Sequence, residues 1–512
     1  MKLYKIIVSL LFAIGIFGLS QSCAQQKKYN VLFIPIDDLK PMLGSYGDTL
    51  IKTPNIDRLA KSGTVFLNTS CQMALCGPSR ASLMTGMYPD ETKVWNLETK
   101  MRDVNSDILT LPQYFKQQGY STTGIGKTFD SRCVDNGKYM DKPSWSIPYH
   151  KAKAVDYANP EVKIAWEKAE KLVESQTFSA GYKRNKAIAR LGGPMCRPSS
   201  ECMDVPDDTY KDGANTTAAL TIMEQLAKSD KPFFLSVGFA KPHLPFVAPK
   251  KYWDLYNRKD IVVAPFQKKS INGPQLAYKG EQLGEIAAYS DIPLLGPLDI
   301  DKQKELIHGY MATVSYVDAQ IGRLLDKLDE LDIKDNTIIC LLGDHGFHLG
   351  DHGLWTKHTN FEQAVRSPMI ISSPDGFTSN STNAPVEFVD IFPTLCHLAN
   401  LDIPKHLSGK SLVLVMKDST TSVRHSAMAQ YTRGTSKMGY TLRSERYRYV
   451  KWMNMDYYKG ERQGSLITTE LYDYGNDPLE TINLAKNVDY TDVVNEFEQE
   501  FTSRKIGQTS KE

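Results

Sequence analysis

One cysteine of this chain stands in a setting that core packing does not explain. Cys76 lies in the segment ALCGPSRASLMTG, residues 74–86, where an apolar run meets a Pro-Ser-Arg turn and then residues compatible with a helix. Cys340, by contrast, lies in the apolar run TIICLL and is predicted to be plain core. Cys76 is therefore the cysteine for which a chemical role is sought.

The other cysteines do not indicate a structural metal site. None of the eight cysteines has zinc-finger spacing, so a structural zinc is not expected. In an oxidising compartment Cys196 and Cys202 could close a small loop, a question the sequence leaves open. The remaining cysteines are Cys23, Cys71, Cys133 and Cys396.

Acidic residues follow two apolar runs that read as buried strands. Asp37 and Asp38 come after NVLFIPI, and Asp344 and His345 come after the run that ends in LLG. Two roles are open for the aspartate pair. One aspartate could cap a helix from a turn at the end of the strand, or both could be oxygen ligands of a hard divalent cation. The second acidic strand end favours a shared metal site, and its oxygen-rich surroundings favour calcium or magnesium over zinc. Nearby histidines interpreted as bystanders are His348, His352 and His358.

The elements that must position these residues alternate along the chain. Helical patterns with glycine stops are followed by apolar strands, which predicts an α/β domain with a mainly parallel sheet. Functional groups in such sheets gather past the carboxyl ends of the strands, where both acidic pairs fall. Residues 131–215 and 255–300 lack strong periodicity and are predicted to be long loops that form substrate walls.

The chain is predicted to contain an export signal and two structural units. Residues 1–24 carry a charged start and a short apolar core, and the sequence leaves open cleavage after Ala24 or lipidation of Cys23. We expect an exported protein, in the periplasm or at the cell surface. The catalytic α/β domain is predicted over residues 28–435 and a smaller antiparallel unit over 436–512. A net charge of only +2 over 512 residues gives no case for nucleic-acid binding.

The chain resembles the type I sulfatases. Residues 74–86 match their Cys-x-Pro-Ser-Arg signature without a mismatch, and the likeness is closest to the iduronate-2-sulfatase branch. Other segments of that branch are NVLFIPIDDLKPMLGSYGD, TPNIDRLAKSGTVF, GFAKPHLPF and LGDHGLWTKHTNFE. The resemblance implies an alkaline-phosphatase-like fold. It also implies a maturation enzyme that oxidises Cys76 to formylglycine (3-oxoalanine), whose hydrate attacks the sulfate ester.

The resemblance also implies the roles of the surrounding residues. Arg80 offsets the charge at the modified cysteine, Lys127 and Lys357 bind sulfate oxygens, and His243 contacts the bridging oxygen or protonates the leaving alcohol. One calcium ion, with magnesium less favoured, is expected on five ligands: Asp37, Asp38, Asp344, His345 and the modified Cys76. The branch has a histidine three residues after Lys127, whereas this chain has Asp130, which leaves the base of the turnover step open.

The sequence therefore predicts an exported sulfatase that acts on a sulfated carbohydrate, with a 2-O-sulfated uronic acid as one option. A phosphonate or phosphate monoester hydrolase of the same superfamily is the alternative enzyme. A non-catalytic, glycan-binding surface lipoprotein is the alternative outside catalysis. The sulfated glycan, endo or exo action and the oligomeric state stay open.

Overall fold

The computed structural model describes residues 28–178, 181–278, 283–294, 296–377 and 380–509. The predicted export signal over residues 1–24 lies outside these ranges. Within them, every helix is too short or too polar to serve as a membrane span.

The strands and α-helices of the described ranges are as follows. The strands are β1 (Asn30–Asp37), β2 (Thr64–Phe66), β3 (Thr69–Ser70), β4 (Ser121–Gly126), β5 (Ser200–Met203), β6 (Phe233–Pro242), β7 (Phe246–Pro249), β8 (Thr337–Gly343), β9 (His348–Leu349), β10 (Trp355–Thr356), β11 (Met369–Ser372), β12 (Asn380–Thr382), β13 (Val386–Glu387), β14 (Ala427–Arg433), β15 (Lys437–Arg443), β16 (Tyr447–Asn454), β17 (Gln463–Asp473) and β18 (Gln508–Thr509). The helices are α1 (Pro54–Lys61), α2 (Cys76–Thr85), α3 (Pro89–Thr92), α4 (Met101–Val104), α5 (Leu111–Gln117), α6 (Pro160–Leu172), α7 (Gly181–Leu191), α8 (Lys211–Ala227), α9 (Lys250–Trp253), α10 (Ile300–Glu330), α11 (Glu362–Val365), α12 (Ile391–Leu398), α13 (Val413–Lys417) and α14 (Thr491–Ser503).

A seven-stranded mixed sheet forms the centre of the larger unit. Its strand order is β12-β2-β11-β8-β1-β6-β4. The four strands β4, β6, β1 and β8 run parallel, while β11 is antiparallel to both β8 and β2. The predicted α/β class with a mainly parallel mixed sheet is confirmed.

Strand β1 shows why the sheet is covered on both faces. All eight of its residues are buried, and successive side chains of a strand point to opposite faces. Val31 and Phe33 join a core that includes side chains of α2 and α12, whereas Leu32 and Ile34 join a core that includes side chains of α8 and α10. With both faces packed, the polar residues of this strand can lie only at its ends.

The prediction of long loops over residues 131–215 is wrong in part. This segment contains helices α6 and α7 and strand β5. The two helices bury few apolar residues, and these form a small separate cluster with Cys196. Cys196 is buried there and Cys202 is exposed, and both thiols are free. Residues 255–300 contain only short 3-10 turns at the described positions before α10 begins.

A second sheet closes the chain, in the order β14-β15-β16-β17-β18. The strands from β14 to β17 are antiparallel neighbours, as the sequence predicts for this part of the chain. Strand β14 precedes residue 436 and pairs with β15, so the division at residue 435 stays a prediction. The predicted terminal helix is present as α14.

Buried charged side chains connect the second sheet to the segment that contains Glu362. We call these residues the interface cluster: Arg443, Arg448, Glu362 and Glu480. Arg448 donates from Nε to Glu480 at 2.5 Å, and Arg443 donates from Nε to Glu362 at 2.9 Å. Arg448 also donates to the carbonyl oxygen of Asn360 at 2.6 Å. Through Asn360 the second sheet supports the loop that carries Lys357.

Candidate active site

Three carboxylates meet at the carboxyl ends of β1 and β8. Asp37 is the last residue of β1, Asp38 follows with a φ of 61°, and Asp344 comes directly after β8. The backbone N–H of Asp38 donates to Asp344 Oδ1 at 3.0 Å. All three side chains are buried. Buried carboxylates this close together repel each other unless cations compensate them.

Cys76 is the first residue of α2 and faces this group. Its Sγ lies 3.3 Å from Nε2 of His345. A Cβ on the next residue, Gly77, would lie 2.5 Å from Sγ of Cys133, so a larger residue there requires that side chain to shift. Burial raises the pKa of the Cys76 thiol well above its ordinary value, and the charge of Asp37 raises it further. An unmodified Cys76 therefore stays a protonated thiol, which is a poor nucleophile.

Three cations compensate the three carboxylates, and we call these six residues the catalytic cluster. Arg80 donates from Nε to Asp344 at 2.9 Å and lies 3.3 Å from Asp37. Lys127 contacts Asp37, and Lys357 Nζ donates to both Asp38 oxygens at 2.8 and 2.9 Å. Burial alone would raise the pKa of Asp37, but Lys127 and its other cationic neighbours hold it well below its usual value.

His243 and an acid that the sequence analysis missed complete the group. His243 Nδ1 donates to the carbonyl oxygen of Leu244 at 2.6 Å, which directs Nε2 away from this carbonyl. Nε2 lies 3.2 Å from Glu285 Oε1 and 3.9 Å from Asp38. The other oxygen of Glu285 lies 3.2 Å from Lys357 Nζ. Glu285 lies in the 3-10 turn Gly284–Ala288 of a predicted loop, and no motif around it signals its place in the site.

Asp130, the departure from the sulfatase pattern, is held by an arginine. Arg132 donates to it from Nε at 2.9 Å and from Nη2 at 2.6 Å. Burial would raise the pKa of Asp130, but the hydrogen bonds from Arg132 and the charge of Lys127 lower it overall. A carboxylate held in this way is a weak proton acceptor, which argues against Asp130 as the base of the turnover step.

A cavity of about 760 Å³ opens in front of Cys76. Its polar lining consists of Cys76, Lys127, Arg132, Asn185, Arg197, His243, Glu285, Tyr289, Lys357 and His358. Of the three histidines interpreted as bystanders, His358 lines this cavity. His348 is buried and bonds to Thr359 at 2.9 Å, and burial lowers its pKa to about 3. His352 stacks on Phe361, with ring centroids 4.2 Å apart.

The donor atoms of the site fit a hard divalent cation. Ligand atoms of Asp37, Asp38, Cys76 and His243 lie within 4.8 Å of one another, as do those of Cys76, Asp344 and His345. His345 Nδ1 donates to the carbonyl oxygen of Gly346 at 3.0 Å, which orients the ring so that Nε2 faces the site. Carboxylate oxygens predominate, and calcium and magnesium prefer such ligands.

The comparisons with known proteins agree with this geometry. The family described as Sulfatase matches residues 29–401, and the family described as N-sulphoglucosamine sulphohydrolase, C-terminal, matches residues 350–506. The chain belongs to the sulfatase family. This sulfatase is a sulfuric ester hydrolase, and enzymes of its family generally use a metal ion and formylglycine.

Relatives and solved structures cover nearly all of this sulfatase. Iduronate 2-sulfatase from Homo sapiens is 32% identical, with 89% of this chain and 90% of the relative aligned. A protein solved in complex with its substrate D-glucosamine-2-N,6-O-disulfate has a TM-score of 0.71 at 22% identity, over 93% of this chain and 97% of that one. The phosphonate monoester hydrolase of Agrobacterium radiobacter has a TM-score of 0.68 at 22% identity, over 93% and 95%. At such identities these two structures show the fold alone.

Proposed function

We propose that this sulfatase hydrolyses sulfate esters of a sulfated carbohydrate through a formylglycine made from Cys76 and a calcium ion. The observation that carries the proposal is the position of Cys76, at the start of α2 and 3.3 Å from His345, beside three buried carboxylates and three cations. A thiol in that position is a poor nucleophile, whereas a hydrated aldehyde supplies a hydroxyl. A cation on the five predicted ligands lowers the pKa of such a hydroxyl and screens the charge of sulfate.

The residues of the chain then divide the remaining work. Lys127 and Lys357 face the cavity and bind sulfate oxygens, while Arg80 keeps Asp37 and Asp344 in place. His243 presents Nε2 to the cavity and protonates the leaving alcohol. A sugar hydroxyl is a poor leaving group, so this proton transfer matters more for a carbohydrate than for an activated phenol.

Two observations support the class of substrate. The relative with 32% identity is named iduronate 2-sulfatase, and the cavity wall is rich in cations. We propose a sulfated polysaccharide or oligosaccharide, with a 2-O-sulfated uronic acid as the first substrate to test. The sequence of residues 1–24 supports export to the periplasm or cell surface, and the mass of the mature N-terminus would separate cleavage after Ala24 from lipidation of Cys23.

The experiment that tests the proposal measures release of sulfate from defined sulfated oligosaccharides. The enzyme is co-produced with a formylglycine-generating enzyme, and mass spectrometry of the peptide that contains Cys76 gives the modified fraction. Rates on phosphate and phosphonate monoesters are measured beside it, because a phosphonate monoester hydrolase shares the fold. We expect sulfate release that rises in proportion to the modified fraction. Faster turnover of phosphonates, or full activity with free thiol only, would overturn the proposal.

A further inference from the structure

The cavity in front of Cys76 carries an excess of positive charge. Among the described residues that line it, four are lysine or arginine and one is acidic, namely Lys127, Arg132, Arg197, Lys357 and Glu285. The whole chain has 61 basic and 59 acidic residues, so this excess is local. A cavity wall of this kind selects anionic ligands.

The cations of the cavity differ in what already engages them. Lys127 and Lys357 contact the carboxylates beside Cys76, and Arg132 is paired with Asp130. Within the described residues, no ion pair or side-chain hydrogen bond involves the guanidinium of Arg197, and its contact there is with the ring of Tyr289. The N–H donors of Arg197 are therefore available to a ligand in the cavity.

Arg197 is nevertheless held in a defined position. Its guanidinium carbon lies 4.6 Å from the centroid of the Tyr289 ring, and both residues line the cavity. Its backbone N–H donates to Ser290 Oγ at 3.0 Å, and its carbonyl oxygen accepts from the backbone N–H of Ser290 at 2.8 Å. An arginine stacked on an aromatic ring keeps its in-plane N–H groups free for a bidentate contact.

From this arrangement we propose that Arg197, supported by Tyr289, is a binding subsite for a second anionic group of the substrate. The inference rests on the proposed function, in which Lys127 and Lys357 bind the oxygens of the scissile sulfate beside Cys76. A second anionic group of the substrate therefore needs a separate binding residue. The planar guanidinium matches a carboxylate with two parallel hydrogen bonds and also accepts a sulfate. The substrate is thus a sugar with at least two negative groups, either a sulfated uronic acid or a doubly sulfated sugar.

The test compares three substrates and four variants of the modified, calcium-loaded enzyme. The substrates are a disaccharide with a 2-O-sulfated uronic acid, the same disaccharide with its carboxyl reduced to an alcohol, and a disulfated hexosamine disaccharide. The variants are R197A, R197K, Y289L and, as a matched control, R323A. Arg323 is also partly exposed, but it pairs with Asp208 at 3.1 Å and does not line the cavity.

In R197A we expect KM for the substrate with the second anionic group to rise about 10- to 100-fold, the effect of losing a charge-assisted hydrogen bond. R197K should recover part of this loss. Y289L, which removes the ring beneath the guanidinium, should raise KM by less than R197A does, and R323A should match the wild type. A rise in KM confined to the uronic acid substrate identifies a carboxylate as the group that Arg197 binds. A rise confined to the disulfated hexosamine identifies a second sulfate. Equal loss on the carboxyl-reduced substrate, or no loss on any substrate, would overturn the subsite. Absence of sulfate release by the wild type on all three would instead overturn the proposed function.

Discussion

Two buried charge clusters of this sulfatase contain similar groups in different arrangements. In the interface cluster each carboxylate forms an ion pair with an arginine, and Tyr474 donates a further hydrogen bond to Glu480 at 2.7 Å. In the catalytic cluster the three carboxylates face one another and Cys76, and Lys127 and Lys357 also line the cavity. In the first arrangement each charge is paired within the cluster, whereas in the second, charged groups of both signs are directed at one point.

The difference shows that burial of charge alone does not mark a functional site. Removing one partner from a closed pair leaves an uncompensated buried charge, which destabilises the fold. Removing Asp37 from the catalytic cluster takes away a ligand, and the cations it leaves can be compensated, since Arg80 keeps Asp344 and Lys127 is partly exposed in the cavity. We therefore expect variants of the catalytic cluster to lose activity and variants of the interface cluster to lose stability.

The largest expected effect is that of Cys76→Ala. In the proposed mechanism Cys76 is the source of the hydrated aldehyde, so sulfate release should fall about 10⁴-fold or more. The unfolding midpoint should stay close to that of the wild type, because alanine fits the buried start of α2. Sulfate release and thermal unfolding of the same preparation check this prediction. Retention of a tenth of the activity would show that Cys76 is not the nucleophile.

Asp37→Ala should have the next largest effect. Loss of one predicted ligand should lower kcat/KM about 10³-fold and raise the calcium concentration needed for half-maximal activity. The protein should remain folded, since Lys127 can reach the solvent of the cavity. Calcium titrations after chelation, followed by activity and circular dichroism, provide the measurement. If chelation and the substitution both leave turnover intact, the metal assignment is wrong.

Glu480→Gln tests the interface cluster, where we expect a loss of stability and not of activity. Burial would raise the pKa of Glu480, but Arg448 and its other partners hold it at about 2. The ordinary carboxyl pKa is higher, so this group contributes stability that is present above about pH 4.5 and is lost as the pH falls towards 2. At pH 7 the variant should lose roughly 3 kcal/mol of unfolding free energy, and its acid dependence should flatten.

Denaturant unfolding of wild type and Glu480→Gln at pH 7 and at about pH 3 measures the loss of unfolding free energy and its pH dependence. Activity at a temperature well below unfolding serves as the control and should change less than about threefold, because the substitution does not touch the cavity. A large loss of activity with unchanged stability would mean that the interface cluster serves catalysis instead.

The smallest expected effect is that of Glu285→Ala. Glu285 contacts both His243 and Lys357, so its loss should leave the imidazole less well oriented. We expect kcat on a sugar sulfate to fall about 10-fold, with less than threefold change on 4-nitrophenyl sulfate, whose leaving group needs no proton. Parallel kinetics on the two substrates check it. An equal fall on both would show that Glu285 does not act through His243.

The sequence predicts the deeper half of this site better than its rim. Asp37 and Asp344 follow from apolar strands, because parallel strands must end at one edge of the sheet. Cys76 and Arg80 follow from a motif whose spacing is local. Glu285 does not follow from either kind of signal, because long-range contacts alone bring its turn to the cavity.

Helices α6 and α7 are not predicted from the sequence, because their packing also depends on contacts between distant segments. They are rich in charged residues and bury only a small apolar cluster, so their composition resembles that of a surface loop although both helices are regular. Arg197 comes from this region, and its stacking on Tyr289 depends on a contact between segments about 90 residues apart.

The complete burial of α2 has a consequence for the order of events in biosynthesis. All ten of its residues are buried once the chain has folded, so a modifying enzyme can reach Cys76 only on an extended segment. His345, which closes over the thiol, is synthesised 269 residues later. For the proposed conversion of Cys76 to formylglycine, the interval between emergence of Cys76 and arrival of β8 is therefore the period in which oxidation can take place. Slower translation or delayed folding should raise the modified fraction, and rapid folding should trap inactive thiol.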